Sequence, residues 1–364
     1  MKFANEYRDP ELAKKLLDRI RSRSRQHTRL MEFCGGHTVA IFKHGLRELL
    51  PDNIEMLSGP GCPVCVTAAA DLDKAIALAK LSGVIITSFG DMVRVPGSTS
   101  SLQQAKAGGA DIMIVYSTQD ALEIARDNPD KSVVFIGIGF ETTAPTVGAS
   151  ILQAVQENIK NYYILSLHKV CPPIMKALLD MGEVRIDGII CPGHVSTIIG
   201  SYPYRFIPDD YGIACAVSGF EPLDILLTVD MLVEQIENDD PKVENAYGRG
   251  VKPEGNPQAV RLMETVFETG DANWRGIGTV PSSGLKLRPE YARFDADKAF
   301  DIDPGPTREP KGCICGSILR GVSIPLKCSL FGKTCTPEHP VGPCMVSSEG
   351  SCATYYQYEG SHGR

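Results

Sequence analysis

The sequence predicts an α/β protein of two similar Rossmann-like parallel-sheet lobes followed by a cysteine-rich C-terminal domain, and three observations predict it. Short β-rich runs alternate with helical patterns through most of the chain. Several motifs recur in the same order about 105 residues apart. Six of the 12 cysteines fall after residue 312.

The strands expected in the first part of the chain are Ile54 to Leu57, Gly83 to Ser88, Asp111 to Tyr116 and Val133 to Ile138. Helical patterns lie between them at Asp71 to Leu81 and at Gln119 to Ala125, the latter stopped by Asn128-Pro129. The recurrence supports two lobes. Phe33-Cys34-Gly35-Gly36-His37-Thr38 is echoed by Ile138-Gly139-Phe140-Glu141-Thr142-Thr143, and Leu57-Ser58 with Cys62-Pro63 by Leu165-Ser166 with Cys171-Pro172. Gly83 to Ile86 matches Gly188 to Cys191, and Tyr116-Ser117 matches Val217-Ser218. The expected division is a first lobe over 30–135, a second over 136–235, and a connecting and cysteine-bearing segment over 236–364, on which a helix at 9–25 could pack. Within that last part Asn238 to Gly255 is polar and turn-rich, Gln258 to Glu268 is helical, and Gly276 to Arg288 reads as connecting structure.

Composition narrows the function. With 364 residues, 43% hydrophobic and 22% charged, the chain reads as a globular protein of two or three domains. It has no run of roughly 20 apolar residues to span a membrane, and Met1 to Arg25 has no apolar signal core, so a cytoplasmic protein is expected. A net charge of -7 argues against nucleic acid as a partner. The one basic stretch, Lys14 to Arg29, carries Leu12, Leu16, Leu17 and Ile20 on one face and begins with Asp9-Pro10, as an amphipathic surface helix does.

The cysteines carry the chemistry. In a chain of this size thiols point to metal or redox work rather than to a disulfide framework. Cys313, Cys328, Cys335 and Cys352 follow C-x14-C-x6-C-x16-C, looser than the paired knuckles of a zinc ribbon, which favours an iron-sulfur cluster over zinc. Cys315 and Cys344 are left over as a disulfide or a dithiol beside the metal. Cys62 and Cys65, at a helix start in Gly-Pro-Gly-Cys-Pro-Val-Cys, read as a redox pair, with half of a metal site as the alternative. Cys34-Gly35-Gly36-His37 and Pro192-Gly193-His194 each set an imidazole at a glycine turn where ligands reach strand ends. Glu141 stands at another such turn, as a proton-handling group or in a helix cap. Gly137-Ile138-Gly139 is not a dinucleotide loop, because position 142 is threonine where the third glycine belongs.

Taken together, Cys34 to His37, Gly59 to Cys65, Gly139 to Thr143, Pro192 to Ser196 and the C-terminal cysteines resemble the HypD family of hydrogenase maturation factors along nearly the whole chain. The resemblance implies a 4Fe-4S cluster on Cys313, Cys328, Cys335 and Cys352, with Cys315 and Cys344 as an auxiliary thiol pair. It implies a redox-active pair at Cys62 and Cys65, and a transient Fe(CN)2CO iron centre held at Cys34. His37, Glu141 and His194 correspond to further motif residues of the cleft. A HypC-like small chaperone and a HypE-like cyanide donor are the implied partners. The function expected is a redox-active assembly scaffold for NiFe hydrogenases rather than a turnover enzyme; a cluster-dependent protein disulfide reductase and a zinc-holding binding module are the alternatives.

Overall fold

The computed structural model describes residues 5–359, so the last five residues of the expected 236–364 segment and the first four of the amino-terminal stretch lie outside the described residues. Strands β1 (Thr28–Glu32), β2 (Ile54–Ser58), β3 (Val84–Ser88), β4 (Asp111–Ile114), β5 (Ser132–Gly137), β6 (Tyr162–Ser166), β7 (Gly188–Pro192), β8 (Ala214–Ser218) and β9 (Val243–Asn245) form two parallel sheets. The larger runs β2-β1-β7-β8-β9 and the smaller β4-β3-β5-β6. Central strands such as β3 and β8 are buried at every position. They are therefore continuous apolar runs rather than alternating ones.

The sheets do not follow the contiguous division at 135/136. The chain leaves the larger sheet after β2, builds all of the smaller sheet, and returns for β7, β8 and β9. The larger sheet takes β1 and β2 from before the expected boundary and β7, β8 and β9 from after it, while the smaller takes β3 and β4 from before it and β6 from after it, with β5 lying across it. The reason is physical: apolar runs and turn motifs specify a strand and the turn beyond it, whereas the pairing edge is chosen by tertiary packing. In both sheets the strand order reverses beside the central pair, β1/β7 and β5/β3. Parallel sheets open a crevice at that point, beyond the carboxyl ends of the strands.

The helix Pro10–Arg23, capped by Asp9, packs on the helix Pro222–Glu237 of the larger sheet rather than on the C-terminal segment. Two of its arginines are engaged in that contact: Arg23 bonds Asp230 at 3.1 Å and Glu234 at 2.9 Å, and Arg19 pairs with Asp230. No helix among the described residues is long and apolar enough to cross a membrane.

The stretch expected to be connecting structure is instead the second strand of a hairpin, β10 (Phe267–Trp274) and β11 (Gly278–Leu287). The hairpin ties the parts together. Arg275 N–H donates to Val66 O at 2.9 Å, and Val170 N–H donates to Ser283 O at 2.8 Å. Trp274, 1% exposed, stacks near Phe140 and donates from Nε1 to Ser283 Oγ at 2.8 Å.

The C-terminal segment is loops and short turns ending in the helix Ser351–Tyr358, which packs on the helix Gly35–Lys43, with Phe42 and Tyr355 ring centres 4.5 Å apart.

Trp274→Ala leaves a cavity where lobes, hairpin and C-terminal segment meet and removes the hydrogen bond that the Ser283 hydroxyl accepts, its own donation to Val280 O remaining. We expect a loss of about 3–5 kcal/mol in urea denaturation under anaerobic conditions, and a smaller loss for Trp274→Phe. Equal stability of Trp274→Ala and the parent would show that the hairpin does not bear on the global fold.

Candidate functional site

Because β1 and β2 are hydrogen-bonded neighbours, the turns beyond them emerge side by side. After β1, Cys34 is the N-cap residue of the helix Gly35–Lys43; after β2, Cys62 is the N-cap of the short helix Pro63–Val66. The turns touch through backbone: Gly35 N–H donates to Gly61 O at 3.2 Å, and a Cβ at Gly61 would lie 2.3 Å from Cys34 N. Glu32 is buried beneath, accepting the Cys34 N–H at 3.0 Å and the Thr38 hydroxyl. Burial pushes the Glu32 carboxyl up to about 8 against those hydrogen bonds. Burial, and then the charge of Glu349, push the Cys34 thiol up to about 12.

The two glycine-histidine turns meet on a residue that carries no motif of its own in the sequence. Phe220, just beyond β8, lies between two imidazoles, its ring centre 4.8 Å from that of His37 and 3.8 Å from that of His194. The glycines make room for it, since a Cβ at Gly36 would come within 3.0 Å of the Phe220 ring and one at Gly193 within 3.1 Å. His37 Nε2 lies 3.2 Å from Ser218 O, and a carbonyl only accepts, so Nε2 carries the proton and Nδ1 has the lone pair. That Nδ1 is buried without a hydrogen-bond partner. Burial, aided by His194, lowers the His37 pKa to about 4, so the ring is neutral at neutral pH. Burial lowers His194 as well.

The smaller sheet supplies the opposite wall. Gly139 takes φ +137 where a Cβ would strike Thr143 Oγ1, so the turn after β5 is closed to other residues. Glu141 comes next in this turn, fully buried, its Oε1 accepting the Cys171 N–H at 2.8 Å and its Oε2 without a partner. Burial pushes its carboxyl up to about 7, which poises it to give or take a proton near neutral pH. Glu141 therefore reaches the site through Cys171, not through either histidine. Cys171, which begins the helix Cys171–Met181, shows in the sequence only as an echo of Cys62. Burial drives its thiol well up, and the charges of Glu141 and then Cys34 add to this, so the ends of the two sheets come within electrostatic range of each other here. Beneath lies a further buried thiol pair, Cys191 and Cys215, with sulfurs 3.2 Å apart on adjacent strands.

The dithiol faces a different neighbour. Cys62 Sγ accepts the Cys65 N–H at 3.3 Å, while the Cys65 thiol interacts with Cys344, and Cys344 in turn with Cys315 and Cys352. Cys313, Cys315, Cys328, Cys335, Cys344 and Cys352 all line one cavity, closed by Ile318, Leu330, Phe331 and Met345. Gly342 is pressed so close that a Cβ would lie 2.7 Å from Cys313 Sγ, and Val341 N–H donates to Cys335 Sγ at 3.4 Å. All twelve cysteines are free thiols. Among the described residues no group of three or more His, Cys, Asp or Glu is gathered for a single metal ion. Soft sulfur donors converging on an apolar cavity, with an N–H aimed at one of them, are the donor chemistry that suits an iron-sulfur cluster.

Comparison with known proteins agrees along the whole chain. The HypD profile, described as "Hydrogenase formation hypA family", matches residues 11–359. The sequence is 47% identical over 368 residues to hydrogenase maturation factor HypD2 of Bradyrhizobium diazoefficiens, covering 98% of this chain and 97% of that protein. It is 46% identical to hydrogenase maturation factor HypD of Rhodobacter capsulatus, covering 99% of both, and 45% identical to that of Escherichia coli, covering 98% of both.

Glu141 gives the site a pH signature. Its folded pKa of about 7 stands above the ordinary 4.5, so its contribution to stability is complete below pH 4.5 and is lost as pH rises through 7. Glu141→Gln lacks that loss. Its stability relative to the parent is expected to rise by on the order of 3 kcal/mol between pH 4.5 and 7 and then to level off. Urea denaturation across that range checks it, and a pH-independent difference would place Glu141 in contact with water.

Proposed function

The chain belongs to the HypD family of hydrogenase maturation factors, and on that premise we propose that it is the assembly scaffold and redox component for the Fe(CN)2CO centre of NiFe hydrogenases. One observation carries the reading. The loop from Gly59 to Cys65 touches the Cys34 turn through backbone at Gly61 and the six-cysteine cavity through Cys65, so cargo site and redox site share one element.

The iron is cargo, held at the Cys34 thiolate with a cysteine of a HypC-like chaperone. A positive, soft ion is what draws the proton from a thiol that burial holds up to about 12. Neutral His37 and His194, stacked on Phe220, keep the pocket ordered, and Glu141 exchanges protons from its buried position. Closure between the sheets and the chaperone excludes oxygen and water.

Cyanide arrives as a thiocyanate on a cysteine of a HypE-like donor, and breaking its S–CN bond takes two electrons. The Cys62 and Cys65 thiols supply them: partner thiocyanate plus two thiols give the partner thiol, hydrogen cyanide and a Cys62–Cys65 disulfide. Electrons to return that pair to its dithiol form are the chemistry that a 4Fe-4S cluster at Cys313, Cys328, Cys335 and Cys352 supplies when bound. Cys315 and Cys344 stand between the two as the auxiliary pair. The setting is the cytoplasm, where thiols stay reduced.

Cys34→Ala separates scaffold from disulfide reductase, since a methyl group cannot ligate iron while electron flow to Cys62 and Cys65 does not need this sulfur. In protein purified anaerobically after co-expression with both partners, the infrared bands of iron-bound cyanide and carbon monoxide should vanish completely. Cluster iron and sulfide, and reducibility of Cys62/Cys65, should stay near parental levels. Bands that persist in the variant would mean that the iron is held elsewhere.

A further inference from the structure

Arg275 is buried where a solvated surface arginine would be expected. It sits on the tight turn between β10 and β11, 3% exposed, with its backbone N–H on Val66 O and its Nε donating to Thr67 O at 3.0 Å. The next residue, Gly276, takes φ +68 and is pressed against the wall helix of the six-cysteine cavity: a Cβ there would lie 2.2 Å from Gly316 Cα. The side chain thus lies between the helix bearing Cys65 and the segment bearing Cys313 and Cys315.

Its guanidinium is poorly compensated. Nη1 and Nη2 are buried and have no hydrogen-bond partner. The nearest carboxylate, Glu309, is 3.8 Å from Nε and its side chain is 53% exposed, so water screens most of that pairing. Arg320, the neighbouring cation, is engaged by Glu183 at 2.7 Å and by Gly276 O. A buried cation with two unpaired donor groups is costly unless a negative charge meets it. A clamp between Thr67 and the hairpin needs only Nε and the backbone, which leaves the two Nη groups unexplained. The guanidinium also lies within electrostatic range of the Cys313 sulfur.

We propose that Arg275 is the charge partner of the group held by Cys313, Cys328, Cys335 and Cys352, offsetting its negative charge and keeping its reduction potential up. This rests on the cluster reading given above. Four thiolates around an iron-sulfur core carry net negative charge, and reduction adds one more; in a cavity of low dielectric a fixed cation stabilises the reduced form more than the oxidised one. Arg275 does not touch reacting atoms, so its role is positioning charge.

The test is a redox titration monitored by electron paramagnetic resonance on the full-length protein purified anaerobically, with iron and acid-labile sulfide counted in each sample. Arg275→Gln removes the charge and Arg275→Lys keeps it without the Nε contact to Thr67. The expected result is a midpoint potential shifted to more negative values in Arg275→Gln and close to the parent in Arg275→Lys. Loss of cluster in the glutamine variant with retention in the lysine variant supports the same conclusion. An unshifted potential in Arg275→Gln, an equal shift in both, or cluster loss in both overturns it in favour of a mechanical clamp. Absence of acid-labile sulfide from the parent protein would instead sink the cluster reading, and this inference with it.

Discussion

Backbone-to-backbone contact between neighbouring turns is the constraint on which the rest of this structure depends. Glu32 pairs with Ser58 at the ends of β1 and β2, and the ladder runs on into the turns as Gly59 N–H donates to Glu32 O at 2.8 Å. Gly61 then lies on Phe33 and Cys34 so closely that any side chain would collide with their backbone atoms. Gly35 meets Glu349 in the same way, a Cβ there falling 2.5 Å from Glu349 O. Three segments remote in sequence are thus fixed at one point by glycines, and a thiol carried by one cannot move without the others. A site built on such contacts holds its geometry through packing, not through the flexible ends of side chains.

Electrostatics at that point favour neutral donors. His37 is held neutral by burial, at about 4, while Glu32 and Glu141 retain protons to about 8 and about 7. The Cys34 thiol is pushed up to about 12 and that of Cys171 well beyond its ordinary range. Every potential ligand therefore has a proton to lose or a lone pair already free. Binding a soft cation here must release protons, so affinity rises with pH. It also discriminates, because a hard, strongly hydrated ion gains little from thiols in a dry pocket.

Much of this is legible in the sequence. Strands such as β2, β3 and β5 announce themselves as apolar runs, whereas β1, Thr-Arg-Leu-Met-Glu, does not, and Cys34, His37, His194 and Glu141 each stand at a strand-to-helix turn where glycine frees the backbone. Partnership is not legible. Nothing in the spacing of Gly83 to Ile86 or Gly188 to Cys191 says that β7 returns to β1, because pairing depends on which buried faces fit. Phe220 reads as an ordinary apolar residue until it is seen between two imidazoles, and Cys171 as an echo of Cys62 until its N–H is found on Glu141. Arg275 carries the opposite lesson. An arginine in Asn-Trp-Arg-Gly is by composition a surface residue, and only the turn geometry of Gly276 against Gly316 buries it.

With few periodic apolar residues, the C-terminal segment reads in the sequence as one that needs a metal or covalent staple to hold it together. Its sparse periodicity and its loops around Cys328 and Cys335 fit that view, since little apolar surface is buried there. The helix Ser351–Tyr358 does not. Tyr355 is 3% exposed, packs on Phe42, lies under the Arg47 guanidinium and receives a hydrogen bond from it, and Thr354 is fully buried. Packing of that kind uses no sulfur, so the segment divides into a docked helix carrying Cys352 and the preceding loops and short turns that carry the other five thiols. The docked helix rests on the helix that begins at Gly35, and Glu349, just before it, is the group whose charge acts on Cys34. A short path of packed backbone thus joins the six-cysteine cavity to the Cys34 thiol. Cys34 and the C-terminal cysteines, which the sequence assigns to separate domains, are joined by one packed contact between helices.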